Sequence, residues 1–199
     1  MKLLIKIFLP ALNKYDLMPI LDDLARNITD KDTTKMHIML NISDFNVDRY
    51  DYSYLNENNV TKMINYKLNE LDWDIILPIF RPCIATMNGF DTLIKDIYKK
   101  AFPDFDGVLW LNNDIDEKEE KEEINRYPVI GRKYYKNFRY VYNSIYNENF
   151  EKEFTEVSKL KNKSHFVKDT FFKILNMKSD DDHIYDLRKK FNFGLITLK

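Results

Sequence analysis

The residues that could do chemistry gather in the stretch from Asp72 to Asp114, DWDIILPIFRPCIATMNGFDTLIKDIYKKAFPDFDGVLWLNND. Arg81 follows an apolar run there, and its planar guanidinium fork matches either phosphate oxygens or a carboxylate that would hold its loop by an ion pair. Cys83 carries the chain's single thiol. No histidine follows it at a telling distance to act as a base, so it is expected to be a buried small hydrophobe rather than a nucleophile. Asp104 and Asp106 precede a second apolar run, and Asn113 and Asp114 follow it, so that acidic and amide groups bracket one strand. Further on, Glu151 and Glu153 stand in a helical pattern with Lys152 and Glu156, where the ordinary reading is a solvated face. Tyr127 to Tyr142, YPVIGRKYYKNFRYVY, interleaves tyrosines with Arg132, Lys133 and Arg139. That pattern suits a stacking surface for a sugar, a base or RNA, and equally the packing of an edge or a protein interface.

The elements that must position these groups follow from apolar spacing. Leu3 to Leu9 is an apolar run interrupted by Lys6, the pattern of a strand covered on both faces, and Pro10 ends it. Asp16 is expected to cap a helix whose Leu17, Ile20, Leu21 and Leu24 recur at helical spacing towards Asn27. Met36 to Ile42 reads as a second strand, giving a right-handed parallel unit. Asn46 to Asn59, with Tyr50, Tyr52 and Tyr54 alternating, reads as an excursion loop or short edge strand. Val60 to Leu71 returns to helical spacing. The Asp72 to Asp114 stretch then supplies a strand at Ile75 to Leu77, a crossover helix opened by Asn88-Gly89, and a strand ending at Leu111. Asp116 to Glu123, DEKEEKEE, is expected to be a solvated helix or loop. Beyond it come a turn at Gly131, a short helix, a strand over Arg139 to Asn143, a helix over Phe150 to Leu160, a short strand at His165 to Val167 and a closing helix over Asp180 to Phe191. In an open α/β sheet, ligands sit beyond the carboxyl ends of the strands, which points to the loops after Leu77-Pro78 and after Leu111.

The 199 residues suffice for one domain with a proper core, and no repeat or linker divides them. With 31 basic and 32 acidic residues, the overall field gives no reason to expect a nucleic-acid partner. No run is long enough for a transmembrane helix, and the apolar start is too quickly polar for a signal peptide, so a cytoplasmic or virion-associated protein is expected. One cysteine excludes an intrachain disulfide framework and a thiolate zinc site. The bias towards Asn, Lys, Ile, Tyr and Asp suits an AT-rich genome, such as that of a phage or a low-GC bacterium.

Several pieces occur in an order that resembles the GT-A fold of nucleotide-sugar glycosyltransferases, in its family-2-like branch. They are Trp73-Asp74-Ile75, Gly89-Phe90-Asp91, Phe102-Pro103-Asp104 with Asp106-Gly107-Val108-Leu109-Trp110, Gly131-Arg132-Lys133-Tyr134-Tyr135, and Glu153-Phe154-Thr155-Glu156-Val157. The match covers most of the chain from Asn59 onward. It implies a three-layer α/β domain over residues 1–199, with a mostly parallel central sheet.

The same resemblance implies a nucleotide-sugar donor near Lys62, Asn65 and Arg81. It puts the acceptor near Asp106, Trp110, Asn113 and Asp114, and makes Glu151 or Glu153 the base that deprotonates an acceptor hydroxyl. It also implies a divalent metal on an acidic motif, which here falls on about Phe80, Arg81 and Pro82. A guanidinium cannot ligate Mg²⁺ or Mn²⁺. The usual arginine of the first loop is absent from Pro10 to Lys14, and the late histidine has no counterpart around Phe171 to Asn176, although His165 and His183 lie nearby in sequence. Two functions are implied: a catalytically degenerate relative serving as a binding or structural protein in a larger assembly, or an active glycosyltransferase.

Overall fold

The side chains of β1 (Leu3–Ile7) divide the molecule. Leu3, Ile5 and Ile7 enter one apolar core and Leu4 enters the other, because successive residues of a strand point to opposite faces. The strand is therefore apolar throughout except at Lys6, which is fully buried on the Leu4 side. In the computed structural model, residues 1–10, 12, 14–41, 47, 49–113, 124–143, 145 and 149–175 are described. The sequence expectations for Asp116 to Glu123 and for Asp180 to Phe191 lie outside them.

The remaining elements are α1 (Lys14–Asn27), β2 (Thr34–Leu40), β3 (Asp51–Tyr54), α2 (Val60–Asn65), β4 (Ile75–Ile79), β5 (Cys83–Ala85), α3 (Phe90–Ala101), β6 (Val108–Asn113), β7 (Pro128–Gly131), α4 (Arg132–Phe138), α5 (Phe150–Leu160) and β8 (Ser164–Ile174). The strands form one sheet in the order β3-β2-β1-β4-β7-β6-β8-β5. β3, β2, β1 and β4 are mutually parallel. β7 runs antiparallel between β4 and β6, which leaves β6 and β8 parallel to the first four, while β5 is antiparallel on β8. Helices α1 and α3 cover one face through Leu17, Ile20, Leu24, Phe90, Ile94 and Tyr98. Helices α2, α4 and α5 cover the other through Met63, Ile64, Tyr134, Tyr135, Phe150 and Phe154. Each such side chain, fully buried, contributes on the order of 2 kcal/mol.

Several local expectations are corrected. α1 begins at Lys14, so Asp16 sits in its first turn and not at its cap. α2 stops at Asn65 and continues only as turns; Lys67 takes a positive φ of 55° there, which ends the helical path before Leu71. Strand β4 continues through Pro78 to Ile79. Phe8 donates its N–H to the Ile79 carbonyl at 2.9 Å, so residue 79 faces β1 and Pro78 faces away, towards β7. Pairing of β4 with β7 stops at Ile76, so no ladder bond is missing at the proline. Gly131 is the last residue of β7 and not a turn. A Cβ there would lie 2.1 Å from the Phe105 carbonyl oxygen, so only glycine fits between β7 and the loop before β6. No strand forms over Arg139 to Asn143; Arg139 is left-handed, and Asn65 pins the backbone at Val141 and Tyr142. β8 extends well beyond His165 to Val167, with His165, Lys168 and Asp169 exposed and Val167, Phe171 and Phe172 buried.

The Asp91 carboxylate explains the Gly89-Phe90-Asp91 piece. It accepts the backbone N–H groups of Thr29 and Asp30, both at 3.0 Å, and the Thr34 hydroxyl at 3.0 Å. Asp91 is fully buried, and it fastens α3 to the turn between α1 and β2.

Candidate functional site

The carboxyl ends of β1 and β4 meet the start of β7 and the first turn of α5, and there the chain assembles a partly buried charged cluster. Arg81 follows β4 directly and donates from Nη2 to Oε2 of Glu151 at 2.5 Å. Arg126, just before β7, places Nη1 4.0 Å from the same carboxylate oxygen. Glu151 lies in the first turn of α5, where a negative charge suits the helix dipole. The Glu151 side of the ion pair is mostly out of water, with 13% of the side chain exposed, while Arg81 keeps 37%.

Aromatic rings enclose this cluster. Phe80 packs edge-on against Tyr142 at 5.5 Å and Phe150 at 5.3 Å, and the Arg81 guanidinium stands 5.6 Å over the Phe80 ring. Tyr142 is fully buried, with its hydroxyl lacking a hydrogen-bond partner, as do Nε of Arg81 and Oε1 of Glu151. Burial pushes the Tyr142 phenol well above its usual range, and the Glu151 charge adds to that. Burial and the neighbouring Arg81 charge push Arg126 below its ordinary range, while Glu151 opposes them. Cys83 is fully buried and its thiol is pushed up to about 12 by desolvation, so it has the inert environment expected of it.

The other residues singled out in the sequence are dispersed. Lys62 is exposed on α2 and pairs with Glu57 at 2.8 Å. Asn65 donates to the Tyr142 carbonyl at 2.7 Å and accepts the Val141 N–H at 2.6 Å, so it clamps the segment that carries Tyr142. Glu153 points away from Glu151 into a recess beside Tyr134 and Phe154, and burial raises its pKa. Trp110 packs against Phe166 at 5.4 Å, beneath the Lys159 ammonium. Asp106 lies before β6, at the opposite end of the sheet, 3.1 Å from Lys163. Asn113 ends β6, while Asp114 and His183 lie outside the described residues. His165 is exposed near the start of β8. The structure thus brings together Arg81 and Glu151, with Asn65 one step behind, and separates both from Lys62, Glu153, Trp110 and Asp106.

The tyrosine-rich segment is mostly interior. Tyr127, Tyr134, Tyr135 and Tyr142 are all buried, and Arg132 stacks 4.3 Å over Trp73 while donating to the carbonyls of Leu68 and Leu71. Arg126 was not foreseeable, since it merely closes a long charged run in the sequence. Its role comes from the reversal of β7.

The resemblance read from the sequence implies a divalent cation at about Phe80 to Pro82, just after β4. Arg81 and Pro82 offer it no side-chain oxygen, and the Glu151 carboxylate is already shared by two guanidiniums. No group of three or more His, Cys, Asp or Glu side chains is placed to hold a metal among the described residues. These residues do not fit the metal.

The sheet order, with β7 reversed inside an otherwise parallel core and helices on both faces, is the nucleotide-diphospho-sugar transferase fold in its GT-A-like form. Residues 1–349 of TarS from S. aureus, solved with UDP, superpose with a TM-score of 0.66 at 12% identity, covering 94% of this chain and 64% of that one. The chain therefore spans less than two thirds of that TarS fragment. A putative glucose-1-phosphate thymidylyltransferase from Bacillus anthracis, in complex with sucrose, gives 0.65 at 12% identity, covering 98% and 97%. A CMP-2-keto-3-deoxy-manno-octonic acid synthetase with CTP gives 0.58 at 11% identity, covering 96% and 99%. No family model and no curated protein matches the sequence. No helix among the described residues is long and apolar enough to cross a membrane.

Proposed function

We propose that residues 1–199 form one GT-A-like domain of a catalytically degenerate glycosyltransferase-like protein, serving as a binding or structural protein. The observation that carries this reading is the Arg81 to Glu151 ion pair. A positive charge stands where the resemblance puts a metal-binding acidic motif. The carboxylate best placed to act as base has one oxygen engaged by that same arginine and the other buried out of reach of solvent. A base must keep a lone pair within reach of the hydroxyl it deprotonates, and a metal-assisted transfer needs oxygen ligands. The partners are other proteins of a larger assembly, a phage particle among them given the compositional bias. A nucleotide is the ligand class to test first, since TarS and the synthetase were solved with UDP and CTP.

Calorimetry with UDP-glucose and UDP-N-acetylglucosamine, with and without Mn²⁺, tests the proposal. The expected result is a heat signal indifferent to Mn²⁺ and no release of free sugar. If a donor binds without metal, Arg81→Ala should weaken it by about tenfold, or ~1.4 kcal/mol. Donor binding tightened by Mn²⁺, with sugar released, would overturn the proposal in favour of an active glycosyltransferase.

A further inference from the structure

At the opposite end of the sheet from Arg81 lies a cleft of about 280 Å³, lined by Asp106, Tyr134, Asn137, Phe138, Lys161 and Lys163. Its parts come from the loop before β6, from α4, and from the turn between α5 and β8. The floor is aromatic: Tyr134 is almost fully buried, its ring 5.1 Å from that of Phe138. The Lys161 ammonium stands 5.3 Å over the Phe138 ring. The rim is polar and centred on Asp106. Asp106 keeps only 14% of its side chain exposed; it lies 3.1 Å from the Lys163 ammonium and accepts from the Asn137 amide at 3.5 Å.

We propose that this cleft binds a neutral saccharide. The mixture of signs decides the class. An anion would meet the Asp106 carboxylate, and a cation would meet Lys161 and Lys163. An uncharged polyol satisfies all of them, donating hydroxyl protons to Asp106 and accepting from the ammonium and amide groups. A pyranose ring also carries a C–H face that packs on an aromatic floor, and the volume, just below the usual range of ligand pockets, limits the occupant to a single ring. The cleft stands apart from the charged cluster after β4, so the inference holds whether or not a nucleotide binds there.

The experiment is amide and aromatic NMR of the full chain, titrated with methyl glucoside, methyl galactoside, methyl N-acetylglucosaminide and, as charged controls, glucuronate and glucosamine. The expected result is saturable shifts confined to residues 134–138 and 161–163 with at least one neutral sugar, while UDP leaves those signals in place. Asn137→Ala and Lys161→Ala change exposed positions that do not endanger folding, and each should weaken binding by about threefold or more. Phe138→Ala should abolish it. The proposal is overturned if no neutral sugar shifts these signals, if only a charged control does, or if UDP moves them. It also fails if the affinity survives both Asn137→Ala and Lys161→Ala unchanged.

Discussion

Two carboxylates, the fully buried Asp91 and the half-buried Glu151, sit at opposite ends of the molecule and are treated differently. Asp91 has donors on both oxygens: two backbone N–H groups and the Thr29 and Thr34 hydroxyls, with the Lys95 ammonium 3.8 Å away. Burial alone would raise its pKa, yet the donors outweigh burial and hold it below the usual carboxylate range. Glu151 shares one oxygen between Arg81 and Arg126, while its other oxygen, Nε of Arg81 and the Tyr142 hydroxyl have no partner. A satisfied network rigidifies a fold, whereas a partly satisfied one marks a place under other demands than stability. The Asp91 cluster joins helix, turn and strand. The Glu151 cluster stands at the carboxyl ends of the strands, where ligands sit in open α/β sheets.

The contrast can be broken by mutation, starting with the largest expected effect. Asp91→Ala leaves several donors buried without an acceptor and should cost about 3–5 kcal/mol in urea unfolding. A loss under about 1 kcal/mol would remove Asp91 as the structural member of the pair. Its contribution should also fade as pH falls through its lowered folded pKa, since the unfolded chain takes up that proton first.

Lys6 comes next, a fully buried ammonium whose Nζ donates to the Tyr66 carbonyl. Desolvation pushes it down to about 7. Between pH 7 and its ordinary value near 10.5 the unfolded chain binds the extra proton, so stability should rise with pH across that window. Lys6→Met should flatten the slope and add up to roughly 4 kcal/mol near pH 7. An unchanged slope in pH-dependent unfolding would show that another group governs it.

A smaller effect sharpens the comparison at the Glu151 end. Arg81→Met alone leaves a buried carboxylate less well paired and should cost about 2 kcal/mol; with Glu151→Gln added, the loss should shrink below that of either single change. Strict additivity would mean that the two residues do not act as a pair. The exposed Lys133 to Asp104 pair, 2.7 Å apart, serves as the baseline: Asp104→Asn should leave the unfolding midpoint where it is.

Much of the scaffold was legible in the sequence, because strands covered on both faces announce themselves as unbroken apolar runs. β1, β2 and β4 did so, and α3 and α5 showed helical spacing. What escaped was decided by distant partners. β5 is three residues long and exists only because β8 passes beside it. Val141 and Tyr142 look like a strand in sequence, but Asn65 holds them as an irregular segment. At the candidate site, the unusual Arg81-Pro82 was plain to see, and an ion pair was one of the two roles open to Arg81. Its partner was not foreseeable. Glu151 is 70 residues away, and nothing local distinguishes it from Glu153, which α5 turns in another direction.

If the charge of Arg81 stands in place of a metal, Mn²⁺ itself reports on it most directly. Electron paramagnetic resonance of Mn²⁺ with UDP should show the same signal before and after the full chain is added. A protein-dependent loss of that signal, demanding UDP and unaffected by Arg81→Ala, would place a working metal site in this fold and contradict the account.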